Sequence, residues 1–166
     1  MQLLRALKHL CTPGFVALKP FPAPVLDKIE QAIRESEKTH AGELRLAFEG
    51  GMEPIDVLRG MSARERALQL FSHLCVWDTE GNSGVLVYLQ LVDTRIEIVA
   101  DRGINRRVEQ SEWDAICRRM ETAFRAGDFE AGVLTAIDDI TRLLSMHFPP
   151  CAGNPDELPD RPLVII

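Results

Sequence analysis

The chain has 166 residues, 46% of them hydrophobic and 27% charged, with a formal net charge of -6 and a pI near 5.2. That length suffices for one domain burying roughly two-thirds of the surface its unfolded form exposes, so neither a metal nor a disulfide is needed as a staple. The acidic balance runs against nucleic-acid binding, which draws its affinity from Lys and Arg at phosphates, and arginines such as Arg64, Arg106 and Arg118 are interleaved with acids and apolar residues as on solvated helix faces.

Cys11, Cys75, Cys117 and Cys151 lie far apart with no CxxC pair, a pattern that predicts buried, reduced thiols rather than a zinc site or a disulfide framework. Arg5, Lys8 and His9 interrupt the apolar start Leu3 to Leu10, so it does not read as a secretory signal, and no window approaches the roughly 20 apolar residues of a membrane span. Cytoplasmic residence is the expectation. Residues 1–24 form an amphipathic segment and Pro-rich lead-in that leaves peripheral membrane or partner contact open.

Val25, Leu26, Ile29, Ala32 and Ile33 recur at helical spacing, with Lys28, Glu30, Arg34 and Glu35 between them. From Glu43 to Glu49 the period becomes two, with Leu44, Leu46 and Phe48 alternating with Glu43 and Arg45, which predicts an outer strand with one wetter face. Ser62 and Glu65 have capping-box spacing ahead of a helix carrying Ala67, Leu70, Phe71 and Leu74 and ending near Trp77. Gly84 to Leu91 is almost wholly apolar, as in a strand covered on both faces, and Arg95 to Ala100 follows closely enough to form a hairpin with it.

Ser111 with Asp114 predicts the cap of a helix that buries Trp113, Ile116, Cys117, Met120 and Phe124 and breaks near Gly127. A last helix runs from Phe129 to His147, where Pro149 and Pro150 stop it. Residues 151–166 are a tail with a short edge strand from Leu163 to Ile166. The predicted fold class is α/β: a layered sandwich with a small mixed β-sheet flanked by helices, its main domain spanning residues 25–150.

The loop before the central strand carries Asp78, Glu80, Gly81, Asn82, Ser83 and Gly84, and the third strand ends in Asp101, Arg102, Gly103, Ile104 and Asn105. A hairpin places these two loops at one edge of the sheet, and a parallel first strand brings Glu37, Thr39, His40 and Glu43 beside them. Carboxylate and amide oxygens around glycines suit Ca²⁺ or Mg²⁺, with Asp78, Glu80, Asn82 and Asp101 as candidate ligands. The bland alternative is that Asp, Asn and Gly abound in loops because they accept turn conformations.

No P-loop is present, because the Gly81 to Gly84 segment neither follows a strand nor opens a helix nor carries a Lys, and no GxSxG elbow occurs. None of the histidines shares an HExxH or paired spacing. His73 reads as a surface residue and His147 as a helix-end residue, which leaves His40 as the histidine beside the loops. Trp77, Trp113 and Tyr88 fit core or boundary positions better than a stacking platform.

In order along the chain, Glu37, Thr39, Gly42, Glu43 and Leu44, then Arg66, Ala67 and Phe71, then Asn82, Gly84, Val85 and Leu86, then Ile98, Asp101, Gly103, Ile104 and Trp113, and finally Gly132, His147, Phe148 and Pro149 resemble the TPM-domain family. That family includes a thylakoid-lumen phosphatase, a photosystem II repair protein and many bacterial proteins, and this chain resembles its short soluble bacterial form. The resemblance implies a sheet sandwiched by helices, a divalent-cation site built from acidic loops in some members, and acid-phosphatase activity in the plant branch. Where many relatives have consecutive acids or Asp-Asn before the central strand, this chain has Glu80, Gly81, Asn82 and Ser83, so one carboxylate of the pattern is missing.

Two functions fit these residues. One is hydrolysis of phosphate esters, with Asp101 and Arg102 as catalytic residues, Ca²⁺ or Mg²⁺ as cofactor and water as the nucleophile. The other is a non-catalytic binding or assembly module whose acidic loops hold a cation or dock a protein partner.

Overall fold

The computed structural model describes residues 2–151 and 156–166. Its order is α1 (Gln2–Cys11), α2 (Gly14–Ala17), α3 (Ala23–Glu37), β1 (Glu43–Glu49), α4 (Pro54–Leu58), α5 (Ala63–His73), β2 (Gly84–Gln90), β3 (Arg95–Ala100), α6 (Arg102–Asn105), α7 (Gln110–Ala126), α8 (Phe129–His147) and β4 (Leu163–Ile165). The strands lie in the order β3-β2-β1-β4. β2 and β3 are the expected antiparallel hairpin, while β1 runs parallel to both β2 and β4.

Alternation along each strand sorts the sheet into two faces. Leu44, Leu46, Phe48, Val85, Val87 and Leu89 meet α3, α7 and α8 through Ile29, Ile33, Trp113, Ile116, Ile137 and Ile140. Ala47, Leu86, Tyr88 and Val99 meet α5 through Ala63, Ala67 and Leu70. The result is the layered α/β sandwich that the sequence predicts.

β1 is not an outer strand: it lies between β2 and β4, and all seven of its residues are buried. The polar side chains that made it look half-wet have protein partners instead of water. Arg45 donates to the carbonyls of Pro159, at 2.6 Å, and of Arg161. Glu49 is held by Arg66 and by the Tyr88 hydroxyl, and Glu43 by the backbone N–H groups of Glu157 and Leu158.

Helix ends follow side-chain chemistry at some places and depart from it at others. The Ser62 and Glu65 box is formed reciprocally, but α5 closes at His73, ahead of a turn that leads to Trp77. Gly127 ends α7 in the left-handed region at φ 89°, a conformation that costs glycine little. The expected Ser111 cap does not form: the N-cap is Glu109, two residues earlier, and α7 starts at Gln110, whose amide donates to Asp114 at 2.9 Å and so occupies the acid that was to close the box.

Cys11, Cys75 and Cys151 are exposed and Cys117 is intermediate, so the expectation of buried thiols fails. Three of these cysteines stand outside helix and strand cores, at the last residue of α1, in a turn and in the segment after α8. Trp113 and Tyr88 are buried as expected, whereas Trp77 is 50% exposed because the turn after α5 swings it off the core.

Helix α1 turns its polar face inward. Arg5 pairs with Asp93 at 2.7 Å and donates to the Met61 carbonyl, and Lys8 donates to the Val92 carbonyl. Leu3, Leu4, Leu7 and Leu10 are left at the surface, the first two 73% and 74% exposed. No helix among the described residues is long and apolar enough to cross a membrane.

Candidate acidic loop site at one sheet edge

Three chain segments converge where β1 and β2 begin and β3 ends. Glu43 pairs with Gly84, and the Asp101 N–H donates to the Gly84 carbonyl at 2.8 Å. Glu43 and Asp101 therefore stand on either side of Gly84, their backbones about 10 Å apart at two strand spacings. Gly84 cannot be larger, because a Cβ there would lie 1.9 Å from the Val76 carbonyl oxygen.

Asp101 caps α6. Its Oδ1 accepts from the Arg102 N–H at 2.6 Å, and its carbonyl accepts from Ile104 and Asn105. The residue is 8% exposed, and Oδ2 is buried with no hydrogen-bond partner. A buried carboxylate oxygen without a donor costs on the order of 1–3 kcal/mol or more, so Oδ2 is a place where a ligand would be stabilising.

Asn82 joins the other loop to this cap. It sits at φ 48°, its carbonyl accepts from the Gly103 N–H at 3.1 Å, and its Oδ1 accepts from Arg102 Nε at 2.8 Å. Gly103 permits that approach, since a Cβ would lie 2.4 Å from the Asn82 carbonyl oxygen. Asn105 is occupied in closing the turn, its amide donating to the Ala100 carbonyl.

Of the predicted site residues, Asn82, Asp101 and Arg102 are thus brought together. Asp78 and Glu80 are exposed. The Asp78 N–H serves a turn to Cys75, and the Glu80 N–H donates to the Glu157 carboxylate at 3.1 Å. Asp78, Glu80 and Asp101 do not form a set with ligand oxygens within 4.8 Å of one another; among the described residues, the one such set is Glu37, Asp156 and Asp160.

The parallel β1 does deliver Glu37, Thr39, His40 and Glu43 to the same edge. Glu37 Oε1 accepts from the Leu44 N–H at 2.9 Å, and burial, helped by the charges of Glu43 and Asp160, pushes its pKa up to about 9. Burial likewise pushes Glu43 up to about 7, against the pull of the Leu158 and Glu157 N–H groups. His40 is fully buried and spoken for: Nδ1 accepts from the Gly42 N–H at 3.2 Å and Nε2 meets Ser36 Oγ at 2.9 Å. Ser36 continues to Thr141, which donates to the Ile137 carbonyl. Burial lowers the His40 pKa to about 4, and with both ring nitrogens engaged the neutral imidazole is a structural link.

Sequence reading missed the contribution of residues 156–160. Asp156, Glu157 and Asp160 read as a polar tail, and only the pairing of β4 with β1 brings them to this edge.

The chain belongs to the TPM domain family, whose model matches residues 22–143. It is similar to the BA42 protein of the psychrophilic bacterium Bizionia argentinensis, with a TM-score of 0.76 and 29% identity over 86% of this chain and 94% of that one. The N-terminal domain of a P. gingivalis protein has the same fold, with a TM-score of 0.63 and 17% identity over 79% of this chain and 82% of that one. No curated protein matches the chain.

Proposed function

We propose that this protein is a divalent-cation-binding domain that hydrolyses phosphate esters at the edge defined by Asp101. The observation that carries the reading is the buried, unpartnered Oδ2 of Asp101 beside an arginine that is already oriented. Asp101 Oδ2 would hold the cation beside the Asn82 side chain, and Glu80 and Asp78, which stand apart from Asp101 here, would have to swing in from the exposed loop to join them. Oxygen donors of this kind suit Ca²⁺ or Mg²⁺. A bound cation supplies charge that stabilises the phosphate oxygens as the ester breaks.

The chain's own residues do the rest. Asn82 steers the Arg102 guanidinium through Nε, so that its charge faces the loop where a phosphate would enter. Asp101 Oδ1 fixes the first turn of α6, which keeps Asp101 and Arg102 in one frame. Water attacks phosphorus, the bond to the ester oxygen breaks, and the departing alkoxide takes the proton that the attacking water gives up, leaving as an alcohol.

Calorimetric titration with Ca²⁺ and then Mg²⁺, paired with turnover of p-nitrophenyl phosphate, tests the reading on wild type and Asp101→Asn. Saturable binding and turnover, both lost in the variant while its melting temperature stays within a few degrees, is the expected result. Absence of binding at millimolar cation removes the hydrolase.

A second reading, a non-catalytic assembly module, is favoured by α1, which spends its charges inward and presents Leu3, Leu4, Leu7 and Leu10 outward. An apolar stripe of that kind is a docking surface for a protein partner. Protein that binds a cation yet turns over no phosphate ester, and whose co-purifying partner is lost in Leu4→Asp/Leu7→Asp, belongs to this second class.

A further inference from the structure

At the end of the sheet opposite Asp101, where β2 runs out at Gln90 beside Arg95 of β3, a cavity of about 330 Å³ opens between the hairpin and the ends of α2, α7 and α8. The hairpin contributes Leu89, Leu91 and Ile96, and the helix ends contribute Phe124 and Phe129. Ala17 and Pro20 close it from ahead of residue 22, where the family match begins. The buried Gln90 offers the interior no open polar group, because its amide donates to the Gly50 carbonyl at 3.1 Å and its oxygen accepts the Asp93 N–H at 2.8 Å.

The polar groups lie at the exposed margin. Among the described residues, the side chains of Thr94 and Arg95, both exposed, make no hydrogen bond or ion pair. Glu97, the acid two residues along β3, pairs with Arg64 at 3.7 Å instead. Arg125 also borders the cavity but is engaged with Glu121 at 3.2 Å. A mostly apolar cavity of this size with a few polar groups at one side has the make-up of a small-molecule site.

We propose that this cavity binds a medium-chain aliphatic carboxylate, its chain among Leu89, Leu91, Phe124 and Phe129 and its head on the Arg95 guanidinium, with the Thr94 hydroxyl as a further donor. The planar fork of a guanidinium matches the two oxygens of a carboxylate. A doubly charged head such as phosphate fits worse, because one unengaged cation stands there with Glu97 and Glu121 close by. The Phe124 and Phe129 rings already meet at 5.0 Å and 41°, which leaves no parallel slot between them for a planar ligand, whereas a flexible chain follows their surface. Five residues of strand separate this end from the Val85 and Ala100 pair, about 17 Å, so the site is independent of the proposed hydrolytic edge.

The test follows backbone amide resonances of ¹⁵N-labelled protein during titration with straight-chain carboxylates from butanoate to octanoate, and with octan-1-ol as the uncharged counterpart. In wild type, saturable shifts at Leu91, Thr94, Ile96 and Phe129 are expected, with affinity rising about fourfold for each added methylene. Arg95→Gln should bind octanoate at least tenfold more weakly and octan-1-ol as wild type does. Ala17→Phe, which narrows the cavity, should weaken both. No saturation at millimolar octanoate, shifts confined to the exposed leucines of α1, or equal octanoate affinity in wild type and Arg95→Gln would each overturn the proposal.

Discussion

Arg66 on α5 grips the buried Glu49 carboxylate at the end of β1, Nη2 lying 2.7 Å from Oε1 and Nε 3.1 Å from both oxygens. Glu49 is 2% exposed and also receives the Tyr88 hydroxyl. Removing one partner strands the other's charge, so Arg66→Ala should destabilise the protein by about 3–5 kcal/mol. Arg66→Met with Glu49→Gln should recover much of that loss, because no charge remains to be solvated. Urea unfolding of wild type and the two variants checks both statements, and equal stability of Arg66→Ala and wild type would show that the pair contributes nothing.

Gly103→Ala should separate the two loops of the acidic edge. The added carbon meets the Asn82 carbonyl oxygen, which accepts the Gly103 N–H, and relieving an overlap of this size costs about 1–3 kcal/mol. Cation affinity should fall with stability, because Arg102 loses its seat on Asn82. A variant that binds Ca²⁺ as wild type does would show that Asn82 is not part of the site.

The pH profile of stability should be squeezed from both sides. His40 has a folded pKa of about 4 against an ordinary 6.5, so below 6.5 the unfolded chain takes up a proton that the folded one refuses, and stability falls as the pH drops towards 4. Glu37 and Glu43 behave oppositely. Their folded values near 9 and 7 lie above the ordinary 4.5, so their contribution is whole below 4.5 and is lost as the pH rises through 7 and then 9. Melting curves across this range should show a flatter alkaline limb for Glu37→Gln and a flatter acid limb for His40→Gln.

Thiol chemistry should sort the cysteines by position. Cys11 and Cys75 are exposed and should react with a disulfide reagent within the mixing phase. Cys117 should react only as the protein opens, since burial pushes its thiol up to about 12 and leaves almost no thiolate at neutral pH. Stopped-flow labelling with and without urea reads the difference, and equal rates for Cys117 in folded and unfolded protein would contradict it.

The long helices and the hairpin were legible because their signals are local: the stripe of Ile29 and Ile33, the Ser62 and Glu65 box, Gly127 as a stop. β1 was misjudged because alternation of Glu43, Arg45 and Glu49 with Leu44, Leu46 and Phe48 is the same whether the polar side faces water or buried partners. Those partners, Arg66, Pro159 and Arg161, lie between 17 and 116 residues away. The convergence of Asn82, Asp101 and Arg102 could be read from topology, since a hairpin fixes which loops share an edge. The part played by Asp156 and Asp160 could not, because nothing local in the tail says which strand β4 will join. α2, α4 and α6 were missed because four or five residues are too few for a periodic signal.

The segment 157–161 that holds Glu43 and Arg45 of β1 also has a history within each molecule's synthesis. Arg161 follows Arg45 by 116 residues, so while the chain is being made β1 spends a long interval as a bare sheet margin with unpaired N–H and carbonyl groups. Glu43 and Arg45 are then hydrated charges on the strand nearest to intruders, the composition that discourages edge-to-edge pairing between nascent chains. Glu49 finds Arg66 and Tyr88 early, but Glu43 and Arg45, which look costly in the finished core, act first as a guard against aggregation and become structural only when residues 157–161 arrive.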